Sequence, residues 1–184
     1  MARTIAERAD VLPLLAEVFR RHGFEGASLA RLCEGSGLGK GSLYHFFPGG
    51  KDDMADAVLA HIDAWFVSHV FAPLRERAVA RDAIDAMFEA VAAYFQSGQK
   101  VCIVGVFALG EERDRFGARV QAYFAEWVAA LAAALERDGK SAQRAALLAE
   151  DVVAGIQGAL VLARALARPD VFGRALEGMA ARLR

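Results

Sequence analysis

Residues 37–51 read Gly37-Leu38-Gly39-Lys40-Gly41-Ser42-Leu43-Tyr44-His45-Phe46-Phe47-Pro48-Gly49-Gly50-Lys51. Gly39 to Phe46 reads as a short helix that stops before Pro48, because proline has no backbone N–H to give and restricts the residue ahead of it. Leu43, Phe46 and Phe47 are expected to pack inward, and Lys40, Ser42, Tyr44 and His45 to face out. Working back towards the amino terminus, Gly35 and Gly37 adopt positive φ at little cost and allow a tight turn. Ser28 caps a second short helix, Leu29 to Glu34. Before it, Leu12, Leu15, Val18 and Phe19 recur at helical spacing until Gly23, a residue suited to the left-handed position after a helix. Two short helices joined by a glycine turn, the second polar on one side, are the parts of a helix-turn-helix that enters the major groove of DNA.

The charge pattern agrees locally. From Gly35 to Lys51 the chain carries Lys40, Lys51 and His45 but no acid, which gives this stretch a positive field. The first 51 residues hold seven Lys/Arg against five Asp/Glu, while the whole chain sums to -1. Overall charge is therefore silent about partners.

Beyond Gly50 the pattern lengthens. Met54, Val58, Ile62, Trp65 and Phe66 mark a long fourth helix that Pro73 is expected to interrupt. Ile84, Met87, Phe88, Val91 and Phe95 mark the next. The clearest amphipathic stripe runs from Phe116 through Val120, Tyr123, Trp127 and Leu131 to Leu135 and ends at Gly139. Leu147, Leu148, Val152, Val153, Ile156, Leu160 and Leu166 form a helix apolar on more than one side, followed past Pro169 by Phe172, Leu176, Met179 and Leu183. With 39 alanines and 19 leucines in 184 residues, and without alternating β-branched runs, an all-α fold is expected. Residues 1–50 should form the helix-turn-helix domain and 51–184 a larger helical body, the boundary lying in the fourth helix.

Several function classes are excluded as expectations. Hydrophobic residues make up 55% of the chain and charged ones 24%, yet no uninterrupted apolar run reaches the roughly 18 residues of a bilayer span, so no membrane partner is expected. The first residues lack the apolar core of a signal peptide, and Cys33 and Cys102 do not make a disulfide framework; a reduced, cytoplasmic setting follows. No nucleophile–base pair in motif context and no phosphate-cradling glycine loop points to an enzyme. His61 and His69 lie two turns apart without a third ligand at metal spacing, so neither a metal nor another cofactor is expected.

Gly-Phe-Glu-Gly-Ala-Ser-Leu-Ala-Arg-Leu from Gly23, followed by the stretch from Gly37 to Lys51, resembles the DNA-binding region of TetR-family regulators. The resemblance covers about residues 5 to 60. It implies a homodimer on a palindromic double-stranded operator, with a carboxy-terminal body that binds a small-molecule effector. Ser28 would offer its hydroxyl and backbone N–H to a phosphate at a helix amino terminus. Lys40, Gly41 and Ser42 would open the recognition helix, Tyr44 and His45 would reach phosphate or base, and Lys51 would anchor the DNA backbone. Gly39 stands where the family usually has a serine or threonine cap, a loss of about a few tenths of a kcal/mol. Val101 to Glu112 resembles the segment of a Cys-containing, LmrA/YxaF-like branch, although Lys100-Val101 precedes the cysteine where that branch has glycine.

Two sets of body residues follow from this. His61, Trp65, Phe66, Phe88, Tyr94, Phe95, Cys102, Phe107, Tyr123 and Trp127 are expected to line a pocket for a small apolar or aromatic effector. Ordinary core packing is the competing account of the aromatic ones, and Cys102 is either a modifiable thiol or a buried packing group. Val152, Gly155, Ile156, Ala159, Phe172, Leu176 and Met179 are expected at a four-helix dimer interface, with Gly155 and Gly158 permitting close approach. The reading is a repressor released by its effector, with the fourth helix as the coupling element. An architectural or ligand-sequestering helical protein without operator specificity is the alternative left open.

Overall fold

The computed structural model describes residues 7–110 and 113–184. Glu111 and Glu112, which end the branch-like segment, lie outside the described residues. Helix α1 spans Arg8–Gly26, opened by a reciprocal cap between Glu7 and Asp10 and broken at Gly23, whose φ of 65° leaves the helical region where the sequence expects it. Helix α2, Leu29–Ser36, begins at Ser28, whose hydroxyl accepts from the Arg31 N–H, and ends at Gly37 with φ 71°. Helix α3 is Lys40–Phe46, and Gly39 starts it without a side-chain cap.

Helix α4, Lys51–Phe66, does not stop at Pro73. A single widened turn, Val67–Phe71, carries it into α5, Ala72–Glu76. Pro73 is the second residue of α5, directly after the wide turn, where the altered hydrogen-bond spacing accommodates a residue that has no N–H to give. The expectation that proline interrupts this helix is corrected by that π-type insertion. Helices α6 (Ala80–Tyr94), α7 (Ile103–Leu109), α8 (Arg113–Arg137), α9 (Ala142–Ala165) and α10 (Asp170–Leu183) follow. Gly139, at φ 95°, closes α8. The Lys140 N–H reaches back to the Leu135 carbonyl. No strand occurs among the described residues.

The chain forms two compact units that do not follow the division at residue 50. The first comprises residues 1–63 and 103–119, the second 64–102 and 120–184. Residues 103–119 join the first because Phe107 of α7 and Phe116 of α8 complete its aromatic core. Phe24 meets Phe107 at 6.1 Å and Phe116 at 5.4 Å between ring centroids, and Phe19 meets Phe107 at 6.0 Å. The edge-to-face geometry adds attraction beyond the apolar area buried.

In the second unit Phe66, Tyr123 and Trp127 cluster, and α9 packs along α10. Helical stretches Lys51–Glu76 and Ala142–Ala165 are long and apolar enough to cross a membrane by length and composition, and 44% of each apolar window is buried within the fold. Core helices pass the same test.

Candidate nucleic-acid interface

Helix α3 separates its residues sharply. Leu43 and the following Phe47 are completely buried, while Lys40, Gly41, Ser42, Tyr44 and His45 are exposed, as is Ser28 at the start of α2. Phe46, expected inside, is half-buried against His45 and Phe47. Lys40 Nζ stands 5.8 Å from the centroid of the Tyr44 ring. Tyr44 in turn leans over Gly50, within 3.5 Å of where a Cβ there would lie. A Cβ at Gly41 would meet nothing within 4 Å, so this glycine answers no packing need inside the chain. It leaves a low point on the exposed face between Lys40 and Ser42, where a groove edge can approach.

The turn below α3 is held by charge. Lys51 donates to the Phe24 carbonyl at 3.1 Å, lies 3.7 Å from a Glu25 carboxylate oxygen and sits 4.1 Å from the Phe24 ring centroid. Its ammonium ties the end of α1 to the start of α4. Asp53 accepts from Arg8 at 2.9 Å and from the Gly49 N–H at 3.4 Å. Asp52 pairs with Arg115 at 2.8 Å and Asp56 with Arg119 at 3.0 Å. Lys40 is the cation of this region left facing outward from the recognition helix.

Residues 15–58 match the family model described as bacterial regulatory proteins, tetR family, and residues 80–177 match the LmrA/YxaF-like transcriptional regulator C-terminal domain. The chain belongs to the TetR family of transcriptional regulators. An HTH-type transcriptional regulator of Mycobacterium tuberculosis, itself described as uncharacterized, is 29% identical over 159 residues, covering 81% of this chain and 79% of the relative. A TetR regulator from Legionella pneumophila shares the fold at a TM-score of 0.80 with 18% identity, each chain covered completely. A double cysteine mutant of the TetR-family regulator CifR, solved with 26-bp double-strand operator DNA, gives 0.71 with 25% identity, covering 95% of this chain and 98% of that one. The family and its relatives are transcriptional regulators, not enzymes.

In this TetR-family chain the aromatic set expected around an effector divides. Phe66 touches Tyr94, Phe95, Tyr123 and Trp127 at centroid distances from 4.9 to 6.2 Å. Trp127 donates to Met87 Sδ at 3.5 Å. Phe88 and Cys102 are buried too. These rings fill the interior of the second unit as core. Phe107 lies in the other unit, and His61 is exposed, so neither joins them. Trp65 and Tyr94 are the half-buried members, 4.5 Å apart, with His69 stacked on Trp65 at 4.4 Å and Lys100 Nζ 4.8 Å from the Tyr94 ring. From the sequence His69 reads either as facing a pocket or as partly exposed, and Lys100 does not stand out as part of one. Their signal was spacing alone: His69 lies one turn beyond Trp65.

The residues expected between subunits are largely covered within the single chain. Val152, Ile156, Ala159, Phe172, Leu176 and Met179 are each at most 5% exposed in the single chain. A Cβ on Gly155 would fall 2.6 Å from Met179 Sδ. The close approach that this glycine permits is therefore α9 against α10 of the same chain. The large apolar groups left uncovered along α9 and just past it are Leu147, Val161, Leu162 and Leu166, 50 to 58% exposed.

Proposed function

We propose that the chain is a homodimeric repressor, working in the cytoplasm, that holds a palindromic operator through α3 and the start of α2 and is released by a small apolar or aromatic effector. The observation that carries the reading is the sidedness of α3: five consecutive or near-consecutive polar and small residues outward, Leu43 and Phe47 wholly inside. Exposed Leu147, Val161, Leu162 and Leu166 support pairing of α9 with its copy, since apolar groups grouped this way mark an interface. A two-fold pair would place its recognition helices about 34 to 36 Å apart, one turn of B-DNA. Half-buried Trp65 and Tyr94 are the point at which a planar molecule enters the aromatic cluster. The effector must bind the released state more tightly, and operator then weakens effector binding by the same factor.

Selection from random duplexes tests this. The repressor enriches one inverted repeat, with affinity falling steeply as salt rises. Weak binding without enrichment would instead support an architectural or ligand-sequestering protein.

A further inference from the structure

Asp52 and Asp56 are one helical turn apart on α4, and Arg115 and Arg119 one turn apart on α8. They pair rung for rung, Asp52 with Arg115 at 2.8 Å and Asp56 with Arg119 at 3.0 Å. All four side chains are more than a third exposed, at 59%, 51%, 55% and 37% for Asp52, Arg115, Asp56 and Arg119. One solvent-exposed ion pair adds little to folding stability, whereas two in register along the same two helices together constrain how those helices turn against each other. What they fix is close to the DNA-facing helix. Four residues, Phe47 to Gly50, separate the end of α3 from the start of α4, and Phe47 and Gly50 are buried. The first two turns of α4 therefore carry α3 with them. Arg115 strengthens the link, since its guanidinium also lies 5.0 Å from the Phe24 ring centroid, next to the Lys51 contact on the same ring.

We infer that Asp52, Asp56, Arg115 and Arg119 are positioning residues for operator binding, a two-rung ladder that sets the pitch of α4 and so the presentation of α3. The inference rests on the operator-binding reading above. It makes a signed prediction that simple electrostatics reverses. Replacing two carboxylates near a phosphate-binding face by amides removes negative charge, which by itself tightens binding to DNA. Loss of positioning loosens it.

The test is a double-mutant cycle on the dimeric full chain, using the duplex that the wild-type protein selects. Asp52→Asn with Asp56→Asn weakens binding about fivefold, Arg115→Gln with Arg119→Gln weakens it by a similar factor, and the fourfold variant is no worse than either pair, because each pair removes the same contact. Asp52→Glu with Asp56→Glu restores most of the affinity. Tighter binding by the asparagine variant, or multiplication of the two effects, overturns the ladder. A DNA-free arm keeps the outcome independent of the operator reading. Nitroxides are placed at Ser42→Cys and Ala118→Cys, with Cys33 and Cys102 changed to alanine and labelled chain diluted in unlabelled chain. Pulsed EPR then gives one narrow distance with the ladder and a broad distribution without it. Identical distributions overturn the inference, whereas failure of the wild type to select any duplex defeats the operator reading alone.

Discussion

Gly35 has no room for a side chain: a Cβ there would lie 2.3 Å from Cγ2 of Val18. The backbone of α2 is pressed onto the Val18 side chain of α1 at this point. In a solvent-facing helix Gly→Ala gains up to about 1 kcal/mol from propensity. Here the methyl group must displace a buried branched side chain, and overpacking costs about 1–3 kcal/mol. Gly35→Ala is expected to lower the urea midpoint of the chain at an unchanged slope; a raised midpoint would mean that α1 and α2 are less tightly apposed.

The end of α9 predicts the opposite sign. Ala167 sits at φ 51°, and the Ala167 N–H bonds the Arg164 carbonyl while the Arg168 N–H bonds that of Ala163. This is the Schellman arrangement, which favours glycine. Gly139 fills the same place after α8. Ala167→Gly relieves the Cβ clash and is expected to stabilise by up to about 1 kcal/mol, read as a rise in thermal midpoint. A fall would show that chain entropy outweighs the strain.

Lys40 and Lys51 separate by salt dependence. Lys40→Ala removes an outward cation, so operator affinity falls and the slope of log affinity against log salt flattens by about one unit. Lys51→Ala breaks the contact with the Phe24 carbonyl, so stability falls while the slope stays. Equal flattening by both would return Lys51 to the DNA backbone.

Asp170 opens α10 and accepts hydrogen bonds from Arg168 and Arg174, which hold its carboxyl at about 2 against the ordinary 3.8. Because the folded value is depressed, its stabilising contribution is present above about pH 4 and is lost as pH falls towards 2. Its solvent-exposed position keeps the effect on stability small. A carboxyl titration followed by NMR should place Asp170 near 2 and, in Arg168→Ala, closer to the ordinary value; an unmoved midpoint would exclude Arg168 as the main cause.

Much of the first unit was legible because its signals are local. Gly23, Ser28, Gly37 and Pro48 each act on their own few residues, and the inward Leu43 and Phe47 follow from helical spacing. What the spacing cannot say is which surface covers an apolar stripe. Leu176 and Met179 read equally as a subunit interface or as cover for α9 of the same chain, and the close fit of Met179 to Gly155 decides for the latter. Helix α7 is seven residues long and too short for a periodic pattern, so the sequence groups Phe107 with the aromatic set of the other unit. The ion pairs of Lys51, Asp52 and Asp56 join residues far apart in sequence and leave no periodic trace. In the body most of the described aromatic residues at helical spacing are core, whereas Trp65, Tyr94 and Phe124 are half-buried.

Hydroxyl-radical footprinting on the selected duplex reads the symmetry of operator binding. A homodimer on an inverted repeat gives two equal patches of protection about one helical turn apart, related by the dyad, and loses them in Lys40→Ala at raised salt. A single patch, or even cleavage along the whole duplex at saturating protein, would contradict it.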